Sequence, residues 1–137
     1  MHAEPFYSGD LNRIEPQDAQ KGWDLSRWAG SPGWKAVDEN CRIHSIFLVP
    51  EIAPGRVAAF TIFSERLTVE SLKFSAREAR KFLHGWGNFR RCEAYVLEGA
   101  EHEIRWCWGL LGMKLEGKLK AFAPDGRACY IFATVRE

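Results

Sequence analysis

Between residues 73 and 91 the chain interleaves the cations Lys73, Arg77, Arg80, Lys81, Arg90 and Arg91 with the aromatic side chains of Trp86 and Phe89. Cations alternating with rings suit the phosphates and bases of a single-stranded nucleic acid. The whole-chain charge speaks against that reading. Nineteen Lys and Arg oppose 18 Asp and Glu for a net charge of +1, so no general field draws the chain to nucleic acid or a membrane surface. A second cluster is acidic: Glu98, Glu101 and Glu103 stand with His102 at the start of a helical pattern. Carboxylates there favour the helix dipole, which is a sufficient structural reason for them. The cysteines Cys41, Cys92, Cys107 and Cys129 form no CxxC pair, and His44, His84 and His102 are scattered. A structural zinc site needs such ligands clustered at short spacing, so no metal is expected. No Ser-His-Asp or Cys-His arrangement has a supporting local motif. Spacing alone thus nominates no catalytic, cofactor-binding or metal-ligating residue.

The elements that would position these side chains are more legible. Residues 1–35 are the least regular. Ile14-Glu15-Pro16 reads as a turn into a short helix, weakened by Gly22 and ended by Ala29-Gly30-Ser31-Pro32-Gly33. Trp23, Trp28 and Trp34 lie close together in this arm. They either cap one end of the core or form an exposed aromatic patch for a partner protein. Residues 42–49 and 56–63 (RVAAFTIF) read as strands joined by the turn-like 51–55, a β-hairpin. Residues 65–74 could be strand or loop. Ser75-Ala76-Arg77-Glu78 matches a helix capping box, Ala76, Ala79, Phe82 and Leu83 share one apolar face, and Gly85 suits the stop.

The last forty-odd residues read strand, helix, strand, hairpin turn, strand: CEAYVLE (92–98), GAEHEIRWCWGLLG (99–112), MKLEGKLKAF (113–122), the turn APDGR, and ACYIFATV (128–135). In that helix Ile104, Cys107, Trp108 and Leu111 fall at helical spacing and predict the buried stripe. Asp125-Gly126 between apolar strands is a strong hairpin signal.

At 137 residues, 46% hydrophobic and 27% charged, the chain reads as one domain with a real core. No apolar run approaches the roughly 20 residues that span a bilayer. The start MHAEPFYSGD lacks the basic head and apolar centre of a signal peptide. Three cysteines fall inside apolar patterns, where a free thiol behaves as a small hydrophobe, and a reducing compartment without disulfides is expected.

From about residue 64 onward the chain resembles a GNAT acetyltransferase domain. The most specific stretch is LLGMKLEGKLKAFAPDGRACYIFATVR (110–136): a helix ending in Leu-Gly, a strand with Glu-Gly, and a hairpin with Pro-Asp-Gly, with Met113 where Phe is usual. The resemblance implies an α+β, GNAT-like fold, a central mostly antiparallel mixed sheet flanked by helices, over 1–137 as a single domain. The region 63–80 with the following strand and helix also resembles the internal virion protein A family of T7-like podophages, which is short and GNAT-like. GNAT enzymes hold the acetyl-CoA pyrophosphate on backbone N–H groups of a Gly-rich loop opening the central helix. Here no glycine occurs from Arg56 to His84. The matching residues 67–75 are bulky or β-branched, and Glu70 adds negative charge. Many GNAT enzymes also carry a Tyr four residues before the Gly of the Leu-Gly motif. The count from Gly112 gives Trp108, which cannot act as a general acid, and Tyr95 is the nearby phenol. Glu65 sits where some GNATs place a catalytic carboxylate.

The expectation is therefore a GNAT-fold protein with a degenerate acetyl-CoA site and no cofactor. It would be a non-enzymatic bacteriophage virion or assembly protein in the virion or host cytoplasm. Its partners would be other phage structural proteins or further copies of itself. The alternative is an active acetyl-CoA-dependent N-acetyltransferase with an atypical cofactor loop. In it, residues 67–75 cradle the cofactor and Lys73 or Arg77 meets the phosphates.

Overall fold

The computed structural model describes residues 1–21 and 24–136. Its chain divides into two units, residues 1–50 with 59–78 and residues 51–58 with 79–137.

The first unit is built on a four-stranded antiparallel sheet in the order β1-β2-β3-β6, from β1 (His2–Pro5), β2 (Gly33–Val37), β3 (Ile43–Leu48) and β6 (Phe60–Phe63). Two of these strands lie in the arm expected to be irregular. The Gly-Pro-rich run 29–33 reads as a terminator, yet Gly33 opens β2 opposite Leu48. A Cβ at Gly33 would stand 2.1 Å from the Phe47 carbonyl, so glycine here permits close strand approach rather than a turn. The short helix expected after Pro16 is a three-residue 3₁₀ turn, Asp18–Gln20, and Pro16 itself bridges Ser64. Gly22 and Trp23 lie outside the described residues. Further 3₁₀ turns at Ser8–Asn12 and Leu25–Trp28 carry Leu11, Leu25 and Trp28 onto a core of Phe6, Ile14, Ile43, Ile46, Leu48 and Ile62. Trp28 stacks on Phe60 at 4.8 Å and Trp34 on Phe47 at 4.6 Å, so both rings serve the interior. The Ser8–Asn12 turn is tied down by a buried ion pair. Lys35, 4% exposed, donates to both oxygens of Asp10 at 2.9 and 2.8 Å. Burial pushes the Asp10 carboxyl up, but Lys35 and the Tyr7 N–H outweigh it and hold it below its ordinary value.

The run 56–63, expected as one strand, serves two sheets. Arg56–Ala58 is β5 of a five-stranded sheet in the order β4 (Glu51–Ala53), β5, β7 (Arg91–Leu97), β9 (Cys129–Val135) and β8 (Lys114–Leu119), while β6 belongs to the first sheet. The hairpin expected between 42–49 and 56–63 is present as the β3–β6 pairing. Its turn residues extend it: β4 (Glu51–Ala53) pairs with β5 around Gly55, whose φ is +75°.

α1 runs Val69–Lys81, starting seven residues earlier than the Ser75 box predicts. The working cap is Thr68 with Ser71. The Thr68 hydroxyl accepts from the Ser71 N–H at 3.1 Å, and the Ser71 hydroxyl accepts from the Thr68 N–H at 2.8 Å. This is a capping box with Ser in the place of Glu. Ser75 lies inside the helix and donates back to the Ser71 carbonyl at 2.8 Å. The stop falls at Gly87, not Gly85, after a π turn at Phe82–Trp86.

In the second unit β7 (Arg91–Leu97) pairs in parallel with β5 and antiparallel with β9 (Cys129–Val135), which also pairs with β8 (Lys114–Leu119). Gly126, φ +87°, sits in the predicted Asp-Gly turn. Arg136 closes the π turn as a distant C-cap, donating to the carbonyls of Phe82 and Leu83 at 3.0 Å and to Gly87, with its guanidinium 4.3 Å from the Phe89 ring centre. The last helix is α only over α2 (Glu101–Ile104) and continues as a π turn, Arg105–Leu110. That widening changes the predicted stripe: Cys107 and Leu111 are buried, but Trp106 is buried at 5% and Trp108 is 60% exposed.

Candidate functional site

Two places carry chemistry. The first is the opening of α1, directly after β6. A helix start leaves four N–H donors without intrahelical partners. The cap uses those of Thr68 and Ser71, and the N–H groups of Val69 and Glu70 have no acceptor among the described residues. Arg66 precedes them on a loop fixed by its own N–H to the Ser64 hydroxyl, 3.0 Å, and by Leu67 N–H to the Ser64 carbonyl, 3.1 Å. Its guanidinium meets Glu15 at 3.2 Å and keeps further donors. Two N–H groups at the positive end of a 13-residue helix form a donor set that fits a phosphate or diphosphate, and Arg66 stands two residues before the cap. Side chains stand where glycine would let the anion come closer, and Glu70 is exposed in the first turn.

The second place is on one face of the second unit's sheet. Arg91, Glu93 and Tyr95 alternate along β7 and share a side. Glu93 is 2% exposed. One of its oxygens accepts from Arg56 Nε at 2.9 Å and from the Tyr95 hydroxyl at 2.9 Å, and the other accepts from Arg91 Nε at 2.8 Å. Arg91 donates again to Glu116 at 2.6 Å. Burial alone would raise the Glu93 carboxyl, but hydrogen bonds from Arg56, Arg91 and Tyr95 hold it below its ordinary range. Burial and then the hydrogen bond to Glu93 raise the Tyr95 phenol. At neutral pH the site holds a fixed carboxylate and a neutral phenol. The phenol is 43% exposed and stacks against Phe122 at 6.4 Å. β7 is paired on its β5 side only over Arg91–Glu93; among the described residues no strand pairs with 94–97 there.

The residues singled out from sequence fare unevenly. Glu65 is exposed, 3.8 Å from Lys21, and its N–H donates to the Glu15 carbonyl. Lys73 and Arg77 are exposed and stand one and two turns into α1, away from the free N–H groups. Trp108 lines a cavity of about 330 Å³ with Tyr130, Leu115 and Ile104, on the opposite face of the sheet from Tyr95. Of the interleaved cations, Arg91 is committed to Glu93 and Glu116, and Phe89 is buried beneath Arg136. Glu98 pairs with Lys118 at 3.0 Å, and burial raises the Glu103 carboxyl. Among the described residues no three His, Cys, Asp or Glu side chains gather as a metal site would require. No helix among the described residues is long and apolar enough to cross a membrane. Arg56, Glu93 and Glu116 went unnoticed in the sequence. The available signal was a charged residue at the centre of the apolar strand CEAYVLE, in step with Arg91 and Tyr95.

No family model matches the chain, and no curated protein matches it. Solved structures do. A protein assigned as a phosphinothricin N-acetyltransferase superposes with TM-score 0.79 at 12% identity, over 99% of this chain and 98% of that one. A variant of the spermidine N-acetyltransferase SpeG from Vibrio cholerae gives TM-score 0.71 at 10% identity, over 98% and 95%. The Streptococcus mutans UA159 protein smu.2055 gives 0.70 at 13% identity, over 100% of both. The chain has an α+β fold of the GNAT N-acetyltransferase type. This agrees with the resemblance of residues 110–136 and extends it to the N-terminal arm. The resemblance to podophage internal virion proteins finds no support in these comparisons, and neither do phage structural partners.

Proposed function

We propose that this protein is an acetyl-CoA-dependent N-acetyltransferase whose phosphate cradle is made without glycine. This reverses the order of preference drawn from the sequence, where the missing glycines weighed most. The observation that carries the reading is the pair of unsatisfied N–H groups, Val69 and Glu70, opening the helix that follows β6, with Arg66 alongside. The whole-length likeness to N-acetyltransferases supports it. Val69 and Glu70, within the expected cradle 67–75, would hold the cofactor's diphosphate with Arg66 in place of Lys73 or Arg77. Bound acetyl-CoA supplies a thioester-activated acetyl group for an amine. Glu93 is locked by its partners as an ionised acceptor and is not poised as a general base near neutral pH. Its role is to fix the Tyr95 hydroxyl and the guanidiniums of Arg56 and Arg91.

Calorimetric titration with acetyl-CoA, able to detect a dissociation constant of about 1 mM, tests the reading. Val69→Pro is the informative variant. Proline at the first helical position removes one donor and leaves the helix intact. Binding should weaken about tenfold or more, the worth of one charge-assisted hydrogen bond. Absence of binding by the folded protein, or equal binding by the variant, overturns the proposal. One observation favours the non-enzymatic scaffold: the cap spends two of the four donors on the helix itself. The same titration separates the two readings.

A further inference from the structure

A second basic site lies in the first unit and shares only Arg66 with the place proposed for acetyl-CoA. The turn before β3 folds tightly. Asp38 N–H donates to the Arg42 carbonyl, Cys41 N–H to the Asp38 carbonyl, and the N–H groups of Asn40 and Arg42 both to the Asp38 side chain, at 2.8 and 3.0 Å. Cys41 takes φ +61° to close it. Arg13 pins the turn from outside: one nitrogen donates to the Cys41 carbonyl at 3.0 Å and another to Asp10 at 3.1 Å. Beside the turn is a cavity of about 240 Å³ lined by Arg13, Arg42, Arg66, Glu15, Cys41 and Ser64. Three guanidiniums there face one carboxylate. Arg13 is offset by Asp10 and Arg66 by Glu15, but the Arg42 side chain has no hydrogen-bond or ion-pair partner among the described residues. Glu15 lies below its ordinary value, first through a hydrogen bond shared with Glu65, then through Arg66, and Arg42 adds its charge from nearby. A concave surface with excess positive charge on a fixed backbone concentrates anions, and its ordering cost is met before any ligand arrives.

We propose that this cavity binds a small phosphate-bearing anion, with Arg42 as the principal contact and Arg13 and Arg66 alongside. Guanidinium groups suit phosphate because their forked donors meet two oxygens at once. The volume admits a phosphate monoester.

The test uses the full chain without acetyl-CoA. Inorganic phosphate and phenyl phosphate are titrated to about 50 mM, a range that captures millimolar binding, with phosphorus NMR as the readout. Saturable binding is expected, weakened about tenfold or more in Arg42→Ala and partly restored in Arg42→Lys. Tighter binding of phenyl phosphate would make the ligand an organic phosphate, and equal binding would make it free phosphate; both support the site. Cys41 supplies a second readout. It is the exposed thiol of the four, the other three being buried. Its reaction with a disulfide reagent should slow with phosphate in the parent and not in Arg42→Ala. No saturable binding, or binding unchanged in Arg42→Ala, would each overturn the proposal. Arg42 is exposed and outside both places described above, so its loss leaves the fold and acetyl-CoA binding as they were.

Discussion

Consider Glu93→Gln, which keeps the side chain's shape and removes its charge. The carboxylate accepts from Arg56, Arg91 and Tyr95 while 2% exposed. In the amide one oxygen still accepts, but the NH₂ group must face a guanidinium N–H or the phenol, donor against donor. Removing one partner of a buried pair costs about 3–5 kcal/mol. Arg56 and Arg91 keep 44% and 27% of their side chains in water, which softens the loss. An estimate of about 2–3 kcal/mol follows. In a chain of this size that is a fall in Tm of about 8–12 °C. Urea unfolding at pH 7 with an unchanged slope would measure it directly. The pH dependence adds a second condition. Glu93 titrates below its ordinary 4.5 in the folded protein, so its contribution is full above that value and is lost as the pH falls through the lower, folded value. The gap between parent and variant should therefore close in acid. A deficit under about 0.5 kcal/mol at pH 7, within the scatter of ordinary surface substitutions, or a gap that persists in strong acid, would refute the description of Glu93 as a paired, ionised hub.

Gly87→Ala would place a Cβ 2.6 Å from the Phe82 carbonyl, which Arg136 also grips, and 2.7 Å from the Phe82 ring. Urea unfolding should show a loss of about 1–3 kcal/mol, and no loss would mean that the π turn opens freely. Thr68→Ala removes the first half of the α1 capping box, and a fall of about 1 kcal/mol is expected by the same assay. Ser75→Ala, at the box predicted from sequence, should leave the α1 start unchanged. Asp38 is held down to about 2 by His44 and by the N–H groups of Arg42 and Asn40, so its contribution is present above 3.8 and lost as the pH falls toward about 2. Asp38→Asn should flatten the acid limb of the stability profile across that window.

Elements whose local signals agreed with their surroundings were legible. The strand 92–98, the Asp-Gly hairpin and the strand 128–135 appear almost as read, because alternation and turn chemistry point the same way there. β1 and β2 were invisible for a physical reason. His2–Pro5 is a polar edge strand ending in proline, and Gly33 looks like punctuation until its neighbour's carbonyl is known. The start of α1 was misplaced because two capping boxes compete within eight residues. Ser75 has a Glu three residues on, yet Thr68 and Ser71 cap each other where β6 actually ends. The candidate sites were less legible still. The Glu93 cluster joins residues from β5, β7 and β8, and Arg42 gains its meaning from Arg13 and Arg66, distant along the chain. Spacing within one segment carries no trace of such meetings.

The π turn at Arg105–Leu110 has a consequence for comparing this chain with others. Its Leu111 N–H reaches back five residues to the Trp106 carbonyl at 2.9 Å, so the helix holds one residue more than an uninterrupted α-helix of the same span. Any alignment to an uninterrupted helix needs a one-residue gap inside that turn. Without it every position before the turn is matched one place off, and counting four back from Gly112 reaches a different side chain from the one that faces the same neighbours. Deleting Gly109 there should shift the positions before it by one and move Cys107 toward the exposed setting of Trp108.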